Sequence, residues 1–276
     1  AKYMELNGYE VDFIDPNESG QISIEEVLEK LRKDTLLVSI MHVNNETGVI
    51  QPVLELGEEI QKRGILFHID ATQSCGKLVE EIRNLKYDML SFSAHKLMGP
   101  QGVGALILKR KLYKRPPIKG IMYGGQQEQG IRPGTIPVAL VVGCGKACEI
   151  AEHEYKENER HSLQIKEAIL FVLEESGLKY QINGNQDVCV SSTLNIAIDG
   201  VSSEALMISS KQYCGISNGS ACTSSNYSPS YVLAAMGLDG SRIEASLRLS
   251  WGPNSDLKEV VDNFKKLLYV AKLMAN

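Results

Sequence analysis

The chain has 276 residues, 43% of them apolar and 23% charged, with a formal net charge of -5 and a pI near 5.7. Those proportions suit a soluble chain able to bury one or two cores, so two domains, or one with a lobe, are expected. The acidic balance, with no Lys/Arg-rich stretch interleaved with aromatics, argues against nucleic acid as a partner. No apolar run is long enough to cross a bilayer, and the opening "AKYMELNGYE" reads as neither a signal nor a transit peptide, so a cytoplasmic location is expected.

The chain opens in the middle of an apparent helix that runs into "YEVDFID". "SIEEVLEKLRK" follows, a helix opened by a capping box at Ser23 and Glu26, and then "LLVSIMHV", a β-rich apolar run. "PVLELGEEIQKRG" sets Pro52 at a helix start and Gly64 at its end, and "ILFHID" reads as a buried strand. "YDMLSFS" and "VGALILK" are two further strands on either side of a glycine-rich turn. This alternation predicts an α/β fold, a mainly parallel sheet with helices on both faces and ligands bound off the carboxyl ends of its strands.

From Val138 the pattern becomes one long helical stretch. After it come "STLNIAI" as a strand, "SEALMISSKQ" as a helix, a Gly/Ser/Asn-rich loop, "SLRLSWG" as a strand, and a closing helix from "DLKEVVDNF" onward. Residues 1–150 are therefore expected to form part of a larger domain, and 151–276 a smaller α+β domain. Six cysteines are too few for a disulfide scaffold at this length, and none forms a metal-type CxxC pair, so no metal site is expected. Cys75, Cys144, Cys148, Cys189 and Cys214 read as packing residues. His42 and His68 also read mainly as packing residues, although both lie near strand ends where a crevice would form. His153 and His161 sit on a strongly charged helix and are expected to be solvated.

Three polar clusters fall at the ends of three predicted strands: Asn45 in "HVNNETG", Asp70 in "FHIDATQ", and Ser93, His95 and Lys96 in "SFSAHKLMGP". Strand ends of one parallel sheet converge on one crevice. A lysine placed there forms a Schiff base when desolvation or a nearby cation favours its neutral amine. An aspartate there pairs with a protonated ring nitrogen, and the two groups together are what pyridoxal 5'-phosphate (PLP) requires for use as an electron sink.

"HVNNETG", "HIDATQS", "SFSAHKLMGPQGVG", "GGQQEQGIRPGT" and "ISNGSACTSSNYSPSYVL", in this order along the chain, resemble the NifS/IscS-like cysteine desulfurases. These are PLP-dependent enzymes of the class V aminotransferase group with the aspartate aminotransferase-like fold (fold type I). The resemblance implies that Lys96 holds PLP covalently, that Asp70 pairs with its ring nitrogen and that Gln73 bonds its ring hydroxyl. It places Ser93 and His95 on the cofactor phosphate, and Thr135 on the phosphate of the neighbouring subunit of a homodimer. Arg248 would clamp the substrate carboxylate, with Asn45 beside it.

Cys222 would be the nucleophile, on a loop of small polar residues expected to be mobile. The implied reaction takes L-cysteine to L-alanine: Lys96 removes the α-proton, and the Cys222 thiolate, the reactive form of the thiol, attacks the substrate sulfur. His95 or another base near the ring would assist. The persulfide would pass to sulfur-acceptor proteins, such as an iron–sulfur scaffold or a thiolation enzyme, for iron–sulfur cluster assembly, tRNA thiolation or DNA phosphorothioation.

The family pattern also includes an N-terminal stretch ahead of the position of Ala1, with a phosphate-cradling glycine/threonine loop and a ring-stacking histidine. Pro133 and Asn218 stand where family members often have serine. The alternatives are a selenocysteine lyase or transaminase relative, which Cys222 disfavours, and a truncated, inactive or weakly active desulfurase that binds sulfur acceptors.

Overall fold

The computed structural model describes residues 1–219 and 229–275. In chain order the helices and strands are α1 (Lys2–Glu5), α2 (Ile24–Lys30), β1 (Leu37–Met41), α3 (Val53–Lys62), β2 (Leu66–Asp70), α4 (Val79–Asn84), β3 (Met89–Ser93) and β4 (Gly104–Leu108). They continue as α5 (Val138–Glu175), β5 (Tyr180–Ile182), β6 (Thr193–Ile198), α6 (Ser203–Ser210), α7 (Tyr231–Ala235), α8 (Gly240–Glu244), β7 (Ser246–Ser250) and α9 (Leu257–Ala275). Among the described residues no helix is long and apolar enough to cross a membrane.

Two compact units emerge. One, the sheet unit, comprises Thr35–Val43 and Val53–Asn158; the other, the C-terminal unit, gathers Ala1–Asp34, Asn44–Pro52 and Glu159–Asn276. A boundary at 150/151 falls inside α5, whereas the units divide that helix between Asn158 and Glu159. Residues 44–52 group with the C-terminal unit because their backbone is tied there. Val190 N donates to Gly48 O (3.0 Å), and Ile50 N donates to Val188 O (2.7 Å). No periodicity in the sequence carries those bonds.

In the sheet unit the strand order is β1-β2-β3-β4. β1, β2 and β3 are parallel, and β4 is antiparallel to β3. The reversal has a simple cause. Segment 94–103 is too short for the crossover that a parallel partner requires. Met98, at φ 64°, and Gly102, at φ 87°, take the left-handed conformations that turn the chain back. α3 follows from its spacing, with Val53, Leu56, Gly57 and Ile60 all buried, and it packs on β2, where Phe67 and Ile69 are buried on alternate positions. Gly57 is required there, since a Cβ would lie 2.6 Å from Lys86 O.

The capping bond expected at α2 is present, with Ser23 Oγ accepting from Glu26 N at 3.1 Å.

The C-terminal unit has an antiparallel sheet in the order β5-β6-β7. All of β6 is buried, with Ile196 in register with Leu247. Ile165, Ile169, Leu173, Phe264, Leu267 and Leu268, from α5 and α9, share one core with these strands. Ile196 is fully buried in that core. Ile196→Ala is expected to cost about 2–5 kcal/mol, read as a lower denaturant midpoint of the C-terminal unit at unchanged slope.

Candidate active site

The parallel register of the sheet unit determines where its polar side chains stand. Asp70, the last residue of β2, is in register with Ser91 of β3, one strand spacing away, about 4.8 Å. The ladder runs on past the strand end, because Ala71 N donates to Ser91 O at 2.8 Å. On the other side His42 N donates to Asp70 O at 2.9 Å. Asp70 is half-buried. Thr72 N donates to Asp70 Oδ1 at 2.9 Å, which fixes the carboxylate and leaves Oδ2 without a protein partner among the described residues.

β3 ends at Ser93, and Ala94–Leu97 form one 3₁₀ turn. Ala94 and Leu97 are buried while His95 and Lys96 are exposed. The apolar pair therefore anchors the turn, and the amine projects. A Cβ on Gly76 would lie 3.0 Å from Leu97 Cβ, and one on Gly99 would lie 3.0 Å from Ala94 O and from Ala147 Cβ. These close approaches hold the turn against segment 71–78 and α5. Lys96 has no ion pair among the described residues, and the Ser93 side chain makes no capping bond. Gln73 lies half-buried in the turn that follows Asp70.

The carboxyl edge of the sheet thus brings together Asp70, Gln73, Ser93, His95 and Lys96. Thr135 is exposed and follows Gly134, which is at φ 103°. Asn45 and Arg248 belong to the C-terminal unit. There Arg248 Nη1 donates to the backbone carbonyl of Asn45 at 3.0 Å. Cys222 lies outside the described residues.

His42 and His68, read from the sequence mainly as packing residues near strand ends, both make polar contacts. His68 sits two residues before Asp70 and bridges the sheet laterally: Nδ1 is 2.8 Å from Ser39 Oγ and Nε2 is 3.1 Å from Ser91 Oγ. Burial lowers its pKa, and the charge of Asp70 opposes that shift. His42 is fully buried, with Nε2 2.9 Å from Glu81 Oε1 and Nδ1 unpartnered. One expectation needs correcting: His161 is half-buried, with Nε2 2.8 Å from Ser255 O, because that face of α5 turns inward. His153 is exposed as expected. Cys75, Cys144, Cys148, Cys189 and Cys214 are free thiols, each at least partly buried, as packing residues should be.

Lys77 was also not anticipated. It is half-buried and has no ion pair among the described residues. Burial, reinforced by the charge of Lys96, pushes its pKa down to about 8. A base depressed in the folded state binds fewer protons than the unfolded chain between the two pKa values. Stability therefore rises with pH from about 8 towards the ordinary lysine value of 10.5. Lys77→Met should remove that rise, on the order of 3 kcal/mol. The check is the difference between the parent and variant melting curves across the window, which should shrink as the pH increases.

The donor set matches one cofactor chemistry, a carboxylate for a ring nitrogen, a primary amine, and hydroxyl and imidazole groups for a phosphate. The fold is that of the type I PLP-dependent transferases, a mostly parallel sheet with a separate α+β unit. The chain matches the aminotransferase class-V family over residues 1–264 and belongs to that family. Cysteine desulfurase IscS of Vibrio vulnificus is 40% identical over 260 residues, covering 94% of this chain and 63% of that protein. The chain therefore spans less than two thirds of that relative's length. DndA from Streptomyces lividans superposes with a TM-score of 0.80 at 39% identity, covering 91% of this chain and 70% of that one. A NifS-like protein superposes with a TM-score of 0.87 at 30% identity, covering 99% and 71%.

Proposed function

We propose that the chain carries the chemistry of a PLP-dependent cysteine desulfurase, taking L-cysteine to L-alanine and leaving the sulfur as a persulfide on Cys222. The observation that carries this reading is the sheet edge, where a carboxylate oxygen and an amine, neither with a polar partner among the described residues, stand at the ends of adjacent parallel strands. The similarity to proteins named as cysteine desulfurases supports the same reading.

The cofactor, when bound, would withdraw electrons from the substrate carbon attached to it. Asp70 Oδ2 would hold the proton on the ring nitrogen, with its carboxylate already oriented by Thr72 N. Gln73 would bond the ring hydroxyl, and Ser93 and His95 the phosphate. Lys96 Nζ would anchor the cofactor and move the proton at the substrate α-carbon. Arg248, with Asn45 beside it, would orient the substrate carboxylate. The Cys222 thiolate would form a sulfur–sulfur bond as the carbon–sulfur bond breaks, the released electron pair ending as a C–H bond of alanine.

In the same reading Thr135 serves the partner subunit of a homodimer. The persulfide passes to acceptor proteins, an iron–sulfur scaffold or a thiolation enzyme, in the cytoplasm.

The test is to incubate the purified chain with PLP, L-cysteine and a reducing thiol, and to measure sulfide and alanine together. Equal yields are expected. Lys96→Ala should lower both by about 10²–10⁴-fold, and Cys222→Ala should abolish both. Sulfide from Cys222→Ala at the parent rate would contradict the role of that thiol, and no product from the parent chain would contradict the activity.

A further inference from the structure

Within the C-terminal unit a cavity of about 310 Å³ lies between residues 214–216, the end of β7 and the first turns of α9. That volume is at the lower end of the range for small-molecule pockets, about 300–1,000 Å³. Its floor is the apolar core itself: Ile169 of α5, Leu249 of β7 and Phe264 of α9 are 3%, 6% and 4% exposed. Side chains packed into a core hold their places whether or not anything lies on them.

One wall is Trp251, the single tryptophan of the chain. It is held at two points, Nε1 donating to Ser162 O at 3.0 Å and the backbone N donating to Ser192 O at 3.2 Å. Another wall is the half-buried Cys214 with Gly215, where a Cβ would meet nothing within 4 Å. The loop at the rim is fixed as well. Gly252 N donates to Ser255 Oγ and Ser255 N donates to Gly252 O, both at 3.1 Å, and His161 Nε2 lies 2.8 Å from Ser255 O. The cavity is therefore preformed.

The rim carries two exposed carboxylates, Asp256 and Glu259, and none of the residues that line the cavity is a cation. Asp256 Oδ1 accepts from Glu259 N at 2.8 Å and so caps α9, which accounts for one of the two acids. Glu259 suits the helix dipole by its place in the first turn, yet its carboxylate has no ion pair or hydrogen-bond partner among the described residues. Lys266 stands two turns further along α9, about 10 Å away. Its Nζ donates to Asn263 Oδ1 at 3.3 Å and lies 5.6 Å from the centre of the Tyr213 ring.

An apolar floor, an indole wall and a negative rim select one kind of ligand. A cation gains from the carboxylates and from the indole face, and an apolar tail gains by leaving water for the floor. An anion is repelled at the rim.

We propose that this cavity binds a small organic cation, a primary amine with an aromatic or branched apolar tail, the amine at Asp256 and Glu259 and the tail on Leu249 and Phe264. Arg248, the residue before Leu249 on β7, faces the other side of that strand by its alternation. The cavity is thus distinct from the desulfurase reading and needs neither cofactor nor turnover.

The test uses the full chain, with any bound PLP first fixed by borohydride so that an amine has no carbonyl to react with. Phenethylamine is the probe, and 3-phenylpropionate, its carboxylate counterpart, is the control. Because Trp251 is the single tryptophan, its emission reports on the cavity directly. Phenethylamine should change that emission saturably and should slow maleimide labelling of Cys214, read peptide by peptide, without slowing that of Cys148 in the sheet unit. The control should do neither at the same concentrations.

Asp256→Asn keeps a capping side chain and Glu259→Gln keeps the volume, both at exposed positions that the fold tolerates. Each should weaken phenethylamine binding about two- to five-fold, and the pair together about 4- to 25-fold. No saturable change in emission, an equal response to 3-phenylpropionate, an unprotected Cys214, or undiminished affinity in the double variant would each overturn the proposal. Failure of the parent to make sulfide would count against the desulfurase reading alone.

Discussion

The pairing of Asp70 with Ser91 across two parallel strands is the constraint on which the sheet unit depends. Because β1, β2 and β3 run the same way, every residue that follows them emerges on one edge. A slip of one residue would move Asp70 to the opposite face of the sheet. The register is secured from both sides, by the buried alternation of Phe67 and Ile69 and by the lateral row of Ser39, His68 and Ser91. That row places a neutral-leaning imidazole on the face that Asp70 shares by strand periodicity. The carboxylate is thereby kept half-buried in a polar position, suited to holding a proton on a partner atom.

The C-terminal unit solves a different problem with the same economy of contacts. Its core is apolar and built around β6, yet segment 44–52 enters it with Asn44, Glu46, Thr47 and Gln51 all buried. Each of these is paired. Asn44 Oδ1 accepts from Glu46 N and Thr47 N, and Gln51 Nε2 donates to Gly20 O at 2.8 Å while its Oε1 accepts from Ile22 N at 2.9 Å. Buried polar groups satisfied in this way specify one arrangement, since any alternative leaves several of them unpaired. Gly48 belongs to the same device: at φ 77°, with a Cβ position only 2.9 Å from Cys189 Sγ, it allows the segment to lie against the strand side of the unit.

Much of this was legible in the sequence because it depends on local periodicity and on ordered motifs. The strands around the lysine turn, the helix from Val138, the cap at Ser23 and the edge position of Asp70 and Lys96 all follow from spacing. The antiparallel β4 could have been inferred from the shortness of segment 94–103, which excludes a crossover. The surroundings of His68, Glu46 and Lys77 could not, because each depends on partners far away in the chain, such as Ser230 for Glu46. The same holds for His161, whose bond to Ser255 O spans a separation that a charged-helix pattern conceals. The grouping of residues 44–52 with the C-terminal unit is likewise a product of tertiary hydrogen bonds.

The central claim is that Asp70 and Lys96 serve one aromatic ring, and chemical trapping addresses it directly. The chain would be saturated with PLP, treated with borohydride, digested and mapped by mass spectrometry. The account predicts a single pyridoxyl group on Lys96, and a marked loss of that label when Asp70 is replaced by alanine. Label on Lys77, label spread over exposed lysines, or labelling of Lys96 that is indifferent to Asp70 would contradict it.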